Sequence, residues 1–126
     1  EKTAFLGFVS PPYPYISEAD LLVLPSPAEA CGNVVVEALA CGTPVLAARD
    51  AGGPTEILAP LESEYDPYFP ATAPAALAGA IAGTLATPIS PDRLCRRAHE
   101  FDVSIVTEQY LSLFRAVTGP ASTSNP

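Results

Sequence analysis

The two short runs "LLVLPS" (21–26) and "PVLAAR" (44–49) constrain this chain more than any other feature in it. Each is too short to stand as a helix and offers no polar face, which is the pattern of a strand covered on both sides in a parallel sheet. Parallel neighbours need a crossover between them. The segment joining the runs supplies one, a helix expected from about Asn33 to Cys41, with Gly32 before it and Gly42 and Pro44 after it. Strand, helix and strand make an α/β unit with an open parallel sheet, and such sheets hold ligands beyond the C-terminal ends of their strands.

The remaining segments are read around that unit. "TAFLGF" (3–8) reads as a buried strand stopped by "SPPYPY", and "YISEAD" as one or two helical turns. "AGGPTEIL" is a glycine turn entering a short helix. The prolines and acids of "APLESEYDPYFPATAP" then mark a long surface connection. "AALAGAIAGTLAT" spaces Leu77, Ala80, Ile81 and Leu85 at helical intervals before Pro88 stops it. Ser90 ahead of Pro91 opens another helix in "SPDRLCRRAHEF", and "SIVTEQYLSLFRAV" aligns Ile105, Tyr110, Leu113, Phe114 and Val117 as an apolar stripe. Both helices are expected to pack against the sheet. One domain over 1–118 and a disordered tail over 119–126, "GPASTSNP", complete the expected organisation.

Composition narrows the function. A chain of 126 residues builds one core, not two. Its net charge of −8 repels phosphate polymers and anionic lipid, so no nucleic-acid partner is expected. No apolar run is long enough to span a bilayer, and "EKTAFLGFVS" lacks the pattern of a secretory signal, so the expected location is cytoplasmic. Cys31, Cys41 and Cys95 have no ligand-like spacing and the chain has a single histidine, His99. Neither a disulfide framework nor a metal site is expected.

The chemistry gathers at "EACGNVVVEALACG" (29–42). Gly32 and Asn33 open the first helix, so their N–H groups stand unpaired at its positive end, a site suited to phosphate. Asn33 and Glu37 are four residues apart and share one helix face. That places the Glu37 carboxylate about 5–6 Å behind the phosphate position, where it can accept from the two hydroxyls of a ribose. Glu29, on the loop before the helix, would repel a phosphate unless it accepts from hydroxyls of a neighbouring hexose. The two together suggest a nucleotide-diphosphate sugar. The plainer alternatives are a partly exposed helix glutamate at 37, a solvated loop acid at 29, and a simple turn at Gly52 and Gly53. The cluster at 93–97 reads as an exposed helix face, His99 as solvated, and Glu56 as either a helix cap or a ligand contact.

The motifs also occur in a familiar order: "F-x-G" at Phe5–Gly7, "AD" at Ala19 and Asp20, "LPS" at Leu24–Ser26, Glu29 and Glu37 with seven residues between, "EALACGTPV" and "AGGPTEIL". Over about residues 3–118 the chain resembles the retaining glycosyltransferases of the GT-B fold (group 1), the large family that includes bacterial mannosyl- and glucosyltransferases. The resemblance implies a partial Rossmann-like open parallel sheet with flanking helices, the C-terminal half of a nucleotide-sugar-binding domain. It implies that Glu29 contacts the donor sugar and is the catalytic residue, that Glu37 binds the ribose, and that amides near Gly32 and Asn33 bind the donor phosphates. It further implies transfer of a hexose to an acceptor sugar or lipid-linked glycan with retention, without a metal or other cofactor.

Cys31 departs from the aromatic residue common at that position in the family. The resemblance also implies an acceptor-binding domain, and diphosphate-neutralising Arg and Lys, upstream of Glu1. The isolated chain is therefore expected to bind donor weakly. The rival readings are a non-catalytic α/β module without turnover, either degenerate or an interaction domain, and, within the same fold, a sugar-nucleotide epimerase.

Overall fold

The structure is a computed structural model that describes residues 2–49, 51–70, 74–87 and 89–119. At its centre three parallel strands lie in the order β1-β2-β3: β1 at Leu22–Leu24, β2 at Val45–Ala48 and β3 at Tyr68–Phe69. Leu22, Val23 and Leu24 stand opposite Val45, Leu46 and Ala47, and on the other side Ala47 and Ala48 stand opposite Tyr68 and Phe69. The fold class is α/β, as expected, with a Rossmann-like open sheet.

The central strand divides its side chains between two layers, as the two-residue period of a strand requires. Val45 and Ala47 enter one apolar cluster with Val35 and Leu39 of α2 (Asn33–Ala40). Leu46 and Ala48 enter a second with Phe69, against which Leu77, Ala80 and Ile81 of α4 (Pro74–Ala86) pack. Helices therefore cover both faces, which is why this strand carries no polar residue. Leu85, read into the same stripe, lies outside the cluster and is 55% exposed.

Helix α5 (Pro91–His99) lies on α2 rather than on the sheet, its Leu94 and Ala98 joining the first cluster. A short helix, α1 (Tyr13–Ser17), is tied in where the Thr43 hydroxyl donates to Ile16 O at 2.7 Å.

Three further expectations are corrected. Residues 3–8 form no strand: Phe5 and Phe8 are 97% and 96% exposed, and β1 pairs only with β2. An apolar segment becomes a strand only when it pairs with an edge, and among the described residues 3–8 pair with none. The connection after α3 (Gly53–Leu58) is not mere surface. A 3-10 turn at Ala59–Leu61 leads to β3, and Leu61, Tyr65, Pro67, Tyr68 and Phe69 are all buried.

The third correction is α6 (Val103–Thr118), which buries none of its residues. Its start is well defined, with Asp102 accepting from Ser104 N at 2.8 Å, but its stripe faces outward. Pro88 and residues 120–126 of the expected tail lie outside the described residues.

Candidate functional site

The loops that leave β1 and β2 are stitched together. Glu29 N–H donates to Ala51 O at 2.6 Å, and Gly53 N–H donates to Glu29 O at 3.1 Å, so Glu29 and Gly52 form an isolated parallel bridge. Two glycines allow this close approach. Gly52 takes a φ of 87°, and a Cβ on Gly53 would stand 2.5 Å from Ala30 O. Side chains there would force the loops apart.

Helix α2 rises from this stitched edge. Its N-cap, Gly32, has a φ of 70°, and a Cβ on it would meet Pro54 Cγ at 2.9 Å, so the start of α3 sits directly on the start of α2. No side chain caps α2 among the described residues, which leaves first-turn N–H groups free for an anion.

Beside α2 opens a cleft of about 910 Å³. Asn33 and Glu37 both line it, as their spacing of one helical turn requires, with Val36 between them. Glu37 is half-buried, which answers how an acid is tolerated in so apolar a helix: Val35, Ala38 and Leu39 carry the core face while Glu37 turns to the cleft. Cys31 and Gly53 also reach the cleft, from the loop after β1 and the start of α3.

The other expected residues stand apart. Gly32 is buried beneath Pro54, and Glu29 is half-buried in the bridge; neither belongs to the cleft wall. The structure thus joins Asn33 to Glu37 in one open space and sets Glu29 at the strand ends beside it.

The opposite wall went unread in the sequence. It is made by Arg97 of α5, Phe101 in the turn after it, and Val106 and Tyr110 of α6; Glu56 of α3, read in the sequence as a helix cap or a ligand contact, lines the cleft alongside. The cluster 93–97 is only partly the exposed face it resembled. Arg93 donates to the Glu64 carboxylate and to Pro60 O, both at 3.3 Å, and the Arg97 side chain is only 12% exposed. Arg97 and Phe101 are four residues apart across a helix end, a spacing that signals contact, and the guanidinium carbon does lie 4.7 Å from the ring centroid. His99 is exposed on the last turn of α5, as expected.

A half-open cleft with acceptor-only carboxylates from two helices, uncapped amides at its edge and aromatic rings opposite suits a ligand that combines hydroxyls, an anion and a flat apolar part. Among the described residues, no three of His, Cys, Asp and Glu stand together to hold a metal ion, and no helix is long and apolar enough to cross a membrane.

Known proteins are similar to part of this chain in sequence. Residues 1–87 match the family model described as glycosyl transferases group 1. D-inositol 3-phosphate glycosyltransferase 2 of Catenulispora acidiphila is 46% identical over 63 residues, covering 47% of this chain and 15% of that protein. D-inositol 3-phosphate glycosyltransferase of Thermobifida fusca is 51% identical over 43 residues, covering 34% of this chain and 10% of that protein. The matched segments are a small part of either relative's length.

Proposed function

The chain belongs to the group 1 glycosyl transferases, and from that premise we propose that it is the second half of the donor-binding domain of a cytoplasmic, retaining GT-B enzyme. In this reading residues 1–118 form the partial domain and 119–126 a tail. The donor is a nucleotide-diphosphate sugar. Glu37 accepts hydrogen bonds from the ribose hydroxyls, and the free amides of the first turn of α2, near Gly32 and Asn33, hold the diphosphate.

Glu29, at the stitched strand ends, accepts from the hexose and serves catalysis. The acceptor hydroxyl attacks the face from which the nucleoside diphosphate leaves. Stabilising that leaving group is the chain's main catalytic contribution, and it calls for neither metal nor cofactor. The acceptor is a sugar or lipid-linked glycan held by a preceding domain; the relatives named above act, by their names, on D-inositol 3-phosphate.

The observation that carries this reading is the pairing of Asn33 and Glu37 on one face of α2, open to a cleft of about 910 Å³ beside an uncapped helix start. Need for further polypeptide is supported by the short matched segments, by the outward apolar stripe of α6, and by Arg97, the one cation of the cleft wall among the described residues, whose donors already have protein partners.

In the intact transferase, Glu37→Ala removes a charge-assisted contact and should raise the donor KM about 10- to 100-fold. If KM and kcat both stay at wild-type values, the ribose role is wrong. Calorimetric titration of the 126-residue chain with UDP- and GDP-sugars should show no micromolar binding, and micromolar binding would remove the need for a second domain.

A further inference from the structure

We infer that Arg97 is a positioning residue that fixes the width of the cleft by clamping the last turn of α3 to α5; its effect on substrate rests on the donor-cleft reading above. Arg97 Nε donates to Ile57 O at 2.8 Å and Nη2 to Glu56 O at 3.0 Å, while Nη1 is held by the Glu100 carboxylate. The same guanidinium lies over the Phe101 ring. One planar group therefore joins two consecutive carbonyls of α3, the end of α5 and an aromatic ring of the cleft wall.

α3 needs such a clamp. A helix of six residues cannot hold itself in water, and its last carbonyls have no partner within the helix. Thr55 O is satisfied from outside by Ala59 N–H and by the Tyr68 hydroxyl at 3.1 Å. Glu56 O and Ile57 O depend on Arg97. A cation at a helix C-terminus is also favourably placed in the field of the peptide dipoles.

The position of α3 in turn sets the cleft, because Gly53 and Glu56 of α3 share its lining with Asn33 and Glu37 of α2. Loosening α3 widens the space without touching the groups on α2. The expected consequence is weaker donor binding with chemistry intact, a rise in KM rather than a fall in kcat.

Lysine keeps the charge but not the flat, forked set of donors, so Arg97→Lys isolates the geometry. In the intact transferase, Arg97→Lys should raise the nucleotide-sugar KM about tenfold, with kcat within about twofold of wild type. Glu100→Gln leaves both carbonyl bonds in place and should keep the wild-type KM. In the 126-residue chain, amide hydrogen exchange should quicken about tenfold or more in residues 56–59 of Arg97→Lys, with no change in α4.

A fall in kcat at constant KM, which is what loss of folded enzyme gives, would overturn the inference. So would unchanged exchange at 56–59, or a Glu100→Gln effect equal to that of Arg97→Lys. Exchange decides the clamp without any ligand; a wild-type enzyme that binds no nucleotide sugar would defeat the donor reading while exchange still judged Arg97.

Discussion

Around α2 the chain closes on itself, whereas along α6 it does not. Val35, Ala38 and Leu39 of α2 are each 0% exposed, but Phe114 and Val117 of α6 are 56% and 76% exposed and α6 buries nothing at all. Both helices carry an apolar stripe at helical spacing, so periodicity alone does not separate them. What separates them is supply of a partner: α2 lies between the sheet and α5, while α6 meets the rest of the described structure mainly at the cleft wall. An amphipathic pattern thus states that a helix needs a cover without stating that the cover is in the same stretch of chain.

The comparison predicts a steep gradient of mutational cost. The largest effect belongs to Leu39, fully buried where α2, β2 and α5 meet. Leu39→Ala removes three carbons from a site with little room to collapse, and denaturant unfolding should show a loss of about 2–5 kcal/mol. A loss under about 1 kcal/mol would mean that the body is as loosely packed as the periphery.

A smaller effect is expected at Tyr65, which finishes the edge of β2 where β3 has not yet begun. Its hydroxyl donates to Val45 O at 2.9 Å and accepts from Val45 N–H at 3.3 Å. Tyr65→Phe leaves both buried groups unpaired and should cost about 1–3 kcal/mol.

The same residue gives a test in alkali. Burial pushes the Tyr65 hydroxyl up from 10.0 to about 12, against the weaker opposing hydrogen bond with Val45. The unfolded chain ionises first, so this contribution is complete below about pH 10 and is lost as pH rises towards 12. The unfolding free energy measured between those values should fall more gently with pH for Tyr65→Phe than for wild type. Part of the slope remains with Tyr68, also raised by burial and by Glu62 beside it. Identical slopes would place Tyr65 in water.

Tyr65 also shows why some of the molecule was legible and some was not. β2 and α2 could be read because their signals are local: an unbroken apolar run, glycine at both ends of a helix, a four-residue step from Asn33 to Glu37. β3 has two residues, and its status as a strand comes from the edge of β2, with Ala47 N–H bonded to Pro67 O and Arg49 N–H to Phe69 O. Nothing in "YDPYFP" announces that edge. The same holds in the cleft, where the Arg97 contact with Ile57 O joins residues 40 positions apart and has no signature in either neighbourhood. "TAFLGF" misled in the opposite sense, since its composition marks a strand that pairs with no edge among the described residues.

The smallest effect should be on α6, and it is the one that separates the two regions most sharply. Phe114 touches Tyr110 at a ring-centroid distance of 6.1 Å, yet both rings stay more than half exposed, so little apolar area leaves water when the helix forms. In the 126-residue chain Phe114→Ala should therefore change stability by no more than about 0.5 kcal/mol. If, as proposed above, the chain is part of a longer transferase whose preceding domain covers the stripe, the same substitution there removes a buried ring and should cost about 3–5 kcal/mol. Measuring both makes the difference the result: a small cost in each setting would leave α6 without a cover, and a large cost in the short chain would mean that α6 already packs on the body.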